Sequence, residues 1–318
     1  MIFKTIPQNG ASWLNPLLYS LDFGGKREQV AVEIFDQLTN TQLGRVVLYN
    51  IASAELDIAP YIRNHKIEEP LARQSSVIER SQDVCKVVLR VEGVESESRL
   101  FFRSDISDQS PGLMSTIIEN GTIAVGEVIR FTLWAQESVN IITVQPSDDG
   151  FMQYDYNTEG MPCEVVLPIK VANVGDVVSL RVVCDNQFIG LCKYRVVERD
   201  SSAVRLAWVN ARGGVECHTF PQSIRRSLVV KSEDLEGECG WYRRIVSSTV
   251  VRRLMMMGAT LSEVDRMLDI LLSPKVYRCD SEVNMAVQLL TDSISYDDHG
   301  KLHRLEFDIK EEWKGGAL

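Results

Sequence analysis

From Leu17 to Lys193 the chain consists of short runs rich in Val, Ile and aromatic residues, punctuated by Gly, Asn, Asp and Pro. Apolar side chains recur at every second position, the period of a strand with one buried face, and the helical period of 3.6 is mostly absent. In Gln29-Val30-Ala31-Val32-Glu33-Ile34-Phe35, for example, Val30, Val32 and Ile34 share one side of an extended backbone. This pattern excludes a helical bundle and predicts sheets. Strands are expected at Leu17–Phe23, Gln29–Phe35, Leu43–Tyr49, Glu55–Ile58, Val84–Val91 and Ser98–Arg103.

The polar stretch Ser104–Thr122 separates these from a second set at Val128–Trp134, Asn140–Val144, Met152–Tyr156, Glu164–Ile169, Val177–Val183 and Phe188–Val196. The spacing is that of a small sandwich or barrel. Pro168 has no N–H for a ladder, so its strand is expected at a sheet edge. After Glu198-Arg199-Asp200-Ser201-Ser202 two β runs, Val204–Val209 and Val215–Phe220, flank Asn210-Ala211-Arg212-Gly213-Gly214 and predict a hairpin. Further β runs lie at Ser227–Lys231 and Tyr242–Met256. Thr260-Leu261-Ser262-Glu263 then forms a capping box, with Leu261, Val264, Met267, Leu268 and Leu271 as the apolar face of a helix from about Leu261 to Leu272 that Ser273-Pro274 ends. Strands close the chain at Val276–Arg278, Asn284–Leu289 and Leu302–Ile309. The expected fold is mainly β: two tandem β-sandwich-like domains, residues 1–120 and 121–200, followed by an antiparallel β domain with one packed α-helix, residues 201–318.

Charge narrows the function class. The 318 residues carry a net charge of −10, and residues 1–200 hold 18 Lys and Arg against 27 Asp and Glu, while residues 201–318 hold 16 against 17. An acidic chain lacks the basic field that neutralises phosphates, so nucleic acid is not expected as a partner. Met1–Gly10 shows no apolar signal stretch, which points to synthesis in the cytoplasm. No window is apolar enough to insert in a membrane. The seven cysteines are scattered, as reduced buried side chains would be.

No G-x-S-x-G, G-x-x-x-x-G-K-[ST], G-x-G-x-x-G or H-E-x-x-H motif is present. Cys217-His218, Cys239, Cys279, His299 and His303 carry zinc-type ligands without metal-site spacing, so no metal or cofactor is expected. Adjacent strand residues such as Cys217 and His218 point to opposite faces, which disfavours a nucleophile–base pair. Asp148-Asp149 and Asp297-Asp298-His299 abut glycines and read as turns. Trp134 is expected in the core. Tyr154 and Tyr156 share a strand face and are the candidates for a glycan-stacking platform. Three arginine pairs, Arg225-Arg226, Arg243-Arg244 and Arg252-Arg253, are the candidates for an interface with acidic surface on a neighbour.

The run Val204-Arg205-Leu206-Ala207-Trp208-Val209-Asn210-Ala211-Arg212-Gly213-Gly214-Val215-Glu216-Cys217-His218-Thr219-Phe220 resembles the R-x-A-W-[IV]-N-x-x-G-x-[IVL]-[DE] hairpin of uncharacterised prophage tail-module proteins of gut bacteria. Leu271-Leu272-Ser273-Pro274-Lys275-Val276-Tyr277 is similar to the L-x-S-P-x-V-Y ending of that group, and Asn15–Tyr19 and Leu56–Arg63 to its opening. The resemblance implies a structural component of a tail or baseplate, with other copies of itself and other tail proteins as partners and the tail particle as destination. It supplies no catalytic residues. The alternative expectation is a surface or host-glycan binding module.

Overall fold

A computed structural model describes residues 2–65, 77–81, 83–104, 110–116, 121–144, 152–168, 173–221, 223–237, 240–279, 284–294 and 302–312. In chain order the elements begin with β1 (Ile2–Thr5), β2 (Ala11–Ser12), β3 (Leu18–Asp36), β4 (Thr41–Asp57), α1 (Ala59–His65), β5 (Val77–Arg80), β6 (Val84–Val91), β7 (Val94–Glu95) and β8 (Arg99–Phe102). There follow β9 (Gly112–Leu113), β10 (Gly121–Ala124), β11 (Val128–Trp134), β12 (Ser138–Val144), β13 (Met152–Asn157), β14 (Cys163–Pro168), β15 (Val177–Cys184) and β16 (Gln187–Val197). The last third contains β17 (Val204–Val209), β18 (Val215–Phe220), β19 (Ser223–Gly237), β20 (Gly240–Ala259), α2 (Leu261–Leu272), β21 (Val276–Arg278), β22 (Met285–Leu289) and β23 (His303–Glu312).

The N-terminal sheet runs β1-β3-β6-β8-β2, with β4 on β3 and β7 on β6. The four expected strands between Leu17 and Ile58 are two long ones. The β3–β4 ladder passes from Asp22↔Ser53 to Arg27↔Ile51, so Phe23–Lys26 loop out without ending it. Gly24, at φ +67°, supplies the backbone conformation this loop-out needs. Beyond it, Val30, Val32 and Ile34 join Tyr19, Leu21 and Phe23 in a single core with Trp13, Leu89 and Phe101. The helix α1, absent from the sequence expectation, starts where the Asp57 carboxylate accepts the backbone N–H of Ala59 at 3.0 Å and Pro60 needs no donor.

Two facing sheets, β5-β14-β11-β9 and β10-β16-β15-β12-β13, enclose the middle core around Phe131, Ile141, Val165 and Leu180. The residue-120 division does not follow the sheets. The segment β5, from within residues 1–120, pairs with β14 through Val77↔Val166 to Arg80↔Cys163. Pro168 is likewise not on an edge strand, because β14 lies between β5 and β11. It is tolerated because the β5 ladder covers only Cys163–Val166. Val84 and Phe102 of the first sheet meet Met114, Trp134 and Met161 of the sandwich in a small shared core, which is where Trp134 belongs.

The C-terminal sheet runs β18-β17-β21-β22-β23-β20-β19. Its helix spans the expected residues, with Thr260 and Glu263 closing both bonds of the capping box. The buried face, however, is Val264, Met267 and Ile270; Leu268 and Leu271 are half-buried, and Leu261 is exposed. The capping turn holds Leu261 outside the sheet's footprint, and the stripe begins one turn later. Burying a carboxylate at Met267 should therefore destabilise this domain by about 3–5 kcal/mol in a Met267→Asp chain. Leu261→Asp should stay within about 0.5 kcal/mol of the parent in the same urea titration.

Candidate functional site

The resemblance-carrying hairpin β17–β18 is buried on both faces along its whole length. Alternation divides it. Val204, Leu206 and Trp208 face the core under α2, with Phe220 and Phe307. Arg205, Ala207, Val215, Cys217 and Thr219 occupy the opposite side, against the middle sandwich.

Polar contacts cross that boundary throughout. Arg205 donates from Nη1 to Glu127 Oε2 at 3.2 Å and to Thr219 Oγ1 at 2.8 Å, and from Nη2 to the carbonyl of Val128 at 3.0 Å. Thr219 Oγ1 donates to the same Glu127 oxygen at 2.6 Å. Side chains of Arg205 and Glu127 are only 1% and 5% exposed, so the charges sit in low dielectric and depend on each other. At the hairpin turn, Asn210 Oδ1 accepts from the N–H groups of Arg212 and Gly214, while Nδ2 donates to the Met114 carbonyl at 2.9 Å and to Glu216 at 2.5 Å. Glu216 also accepts from the Thr116 N–H at 2.6 Å. Val215 is held by the hydroxyls of Ser115 and Thr132. A Cβ at Gly214 would lie 2.6 Å from the Met114 backbone, so only glycine lets the turn seat there. The second quoted motif closes the arrangement: Ser273 Oγ accepts the Val209 N–H at 3.2 Å, and Val276 and Tyr277 pair with Trp208 and Ala207. The two strands of the hairpin thus form an internal junction, while Ala211 and Arg212 at its turn and Leu272, Pro274 and Lys275 of the second motif stay exposed.

The arginine pairs divide into two groups. On paired strands Arg225 lies opposite Arg253 and Arg226 opposite Arg252, an unfavourable alignment of like charge. The third strand, β23, offsets it. Arg253 donates to both carboxylate oxygens of Asp308 at 2.8 Å, and Arg252 contacts Glu311 at 2.5 Å; Glu311 also receives Arg278 at 2.8 Å. Arg252 is buried and serves the sheet itself rather than an interface, whereas the Arg253 side chain stays 40% exposed beside Asp308. Arg226, Arg243 and Arg244 are exposed, as is Arg225, which adds its field at Asp308. Arg243 reaches Asp234 at 3.2 Å across an open surface.

That surface is an arm. The third strand leaves β20 at Thr249, opposite Glu312, so among the described residues the ribbon continues as two strands to Gly237 and Gly240. Nine residues beyond this point extend roughly 30 Å at ~3.3 Å each. Val230, Trp241, Ile245 and Val246 are exposed on it, with Trp241 at 72%, and Leu228 and Val229 are exposed at its base. None of these residues belongs to a motif that marks it as a site in the sequence. The available signal was Leu228-Val229-Val230, which puts apolar groups on both faces of one strand, and a β run too long for its sheet.

Tyr154 and Tyr156, the candidates for a glycan platform, turn toward the sandwich core and not fully to solvent. Both are half-buried and pack against the sandwich core, because their shared face of β13 is the inner one. Cys217 and His218 point to opposite sides of β18: His218 stacks edge-on against Phe220 at 5.0 Å, and burial lowers its pKa to about 3, keeping it neutral. Cys217 meets Cys279 beneath Ala207. The hydrogen bond with Cys279, aided by Arg205 and Arg130, lowers the pKa of Cys217 to about 6, and the same bond with burial holds Cys279 protonated. Two strand spacings, about 10 Å, separate the paired backbones, beyond disulfide reach. Among the described residues no group of three His, Cys, Asp or Glu could hold a metal ion. Cys239, His299, Asp148-Asp149 and Asp297-Asp298 lie outside the described residues.

No protein-family model matches the chain, and no curated protein matches it. Solved structures with backbone similarity include Dpr2 Ig1–Ig2 crystallised with DIP-Theta, at 10% identity over 62% of this chain and 98% of that one, TM-score 0.21. The FN1–FN3 domains of chicken CNTN1 match at 7% identity over 98% and 97% of the two chains, TM-score 0.23. Domains 4–9 of the surface layer protein SbsC match at 9% identity over 99% and 44%, TM-score 0.21. The four sheets described above define the class, a mainly β chain of sandwich-like modules. Among the described residues no helix is long and apolar enough to cross a membrane.

Arg205→Ala should cost about 3–5 kcal/mol in chemical denaturation by stranding Glu127 in the interior, and Arg205→Met combined with Glu127→Gln should recover most of that loss. A second test uses pH. The hydrogen bond from Arg253 holds the Asp308 carboxyl below its usual 3.8, so its stabilising contribution is complete above that pH and disappears as pH falls through the folded value. Melting curves of an Asp308→Asn chain should accordingly separate from the parent above the usual 3.8 and draw together as pH falls below it.

Proposed function

We propose that the chain is a structural component of a phage or prophage tail or baseplate and acts by protein–protein association, without catalysis. The observation that carries this reading is the two-stranded arm with apolar side chains on both faces. A lone ribbon of this length is marginal in water, because neither face has a layer to bury it. Evolution ordinarily blunts exposed apolar edges, and contiguous patches of this kind mark contact sites. The hairpin and Ser-Pro resemblance supplies the tail-module assignment. Other copies of the chain and other tail proteins are the proposed partners; nucleic acid, a membrane and cofactors have no part in the role. Synthesis in the cytoplasm would precede incorporation in the tail particle.

The test is the solution mass by light scattering over a concentration series. The full chain should exceed the mass of one copy. A chain in which residues 229–248 are replaced by a two-residue turn should keep its melting cooperativity and sit at one copy throughout. A full chain that remains a single copy up to its solubility limit would contradict association through the arm.

A further inference from the structure

The arm and the middle sandwich carry complementary features. Beyond Thr249 the outer edge of β20 has no neighbour among the described residues, and an edge of this kind presents alternate N–H and C=O groups to a ladder. The segment Gly240–Ser248 contains Arg243 and Arg244 and no carboxylate. Arg243 contacts the exposed Asp234, a pair of the weak kind that exchanges easily.

On the sandwich, β13 pairs with β12 along all six residues and has no second neighbour among the described residues. It contains neither Lys nor Pro, the usual guards of an edge. Across this end of the sheet, β13, β12 and the end of β15 with Asn186 form an open groove of about 910 Å³ whose walls include Glu137, Asp155 and Glu159 and no cationic side chain. Residues 103–200 as a whole hold 7 Lys and Arg against 14 Asp and Glu, so the acidity of the chain is concentrated in this module.

We infer that the distal segment Gly240–Ser248 of one copy docks along β13 of a second copy, extending its sheet and placing whichever of the alternating Arg243 and Arg244 faces outward against the acidic groove of Glu137, Asp155 and Glu159. The inference rests on the association reading above and names its partner and both surfaces. Arm and groove are different patches, so the contact is heterologous: each copy offers one arm and one groove, and the chain of contacts ends only when a ring closes. Backbone pairing gives the contact its affinity, and the charges select the register and the partner.

Charge reversal on each side tests this directly. Arg243→Glu with Arg244→Glu gives one variant, and Glu137→Arg with Asp155→Arg gives the other. All four side chains are exposed or partly exposed, and unchanged circular dichroism and melting will verify the fold. In sedimentation velocity each variant alone should associate at least tenfold more weakly than the parent, because like charges now face each other in every contact. An equimolar mixture should recover association, since each variant's arm matches the other's groove. Groove reversal without effect, or loss in both variants without recovery on mixing, would overturn the docking site while leaving association through another surface. A parent chain that never associates would overturn the association reading itself.

Discussion

The Arg205–Glu127 pair is the constraint on which the molecule's arrangement depends. A guanidinium 1% exposed is stable only if an anion and further acceptors are brought to it, and here they come from a different module: the Glu127 carboxylate and the Val128 carbonyl. Thr219, from the hairpin's own second strand, bridges the two charges. The bond therefore fixes the middle sandwich against the C-terminal sheet. Because β17 and β18 have no solvent face, their other side must be covered by α2 and the Phe220–Phe307 core. One hairpin is thus the floor of two cores.

That anchoring gives the arm its base. The same seven-stranded sheet that begins at β18 ends at β19, and the ladder between β20 and β23 carries the ribbon outward until Thr249. At the base, arginines face arginines and are neutralised by Asp308 and Glu311, so their charge is spent within the chain. At the tip the described ribbon has two strands, and Arg243 and Arg244 are exposed. Sequence-adjacent pairs of the same type have opposite roles for this reason alone.

Much of the fold was legible in sequence because its signals are local. Alternation located β6, β11, β17 and β18, and the capping box located α2 to the residue. What depended on distant partners was hidden. Glycines at 24 and 25 read as a break between strands, yet the ladder with β4 carries the chain past them. Tyr154 and Tyr156 share a face, but only the facing sheet makes that face the inner one. The meeting of Cys217 with Cys279 spans 62 positions and leaves no local trace. Arg205 reads as one charged residue in a strand, and its meaning appears only when Glu127 is placed beside it. The arm was half legible: its strands were found, whereas the exposure of its apolar side chains depends on which strands flank it in the fold.

Hydrogen–deuterium exchange of the full chain at a dilute and a concentrated protein concentration tests the central claim most directly. The account predicts slow exchange of the β17–β18 amides at both concentrations, since the junction is internal. The amides of the arm tip, residues 229–237 and 240–248, should exchange fast when dilute and become protected when concentrated, as pairing with another copy covers them. Fast exchange in β17–β18, or arm-tip exchange that does not change with concentration in a sample shown to associate, would contradict it.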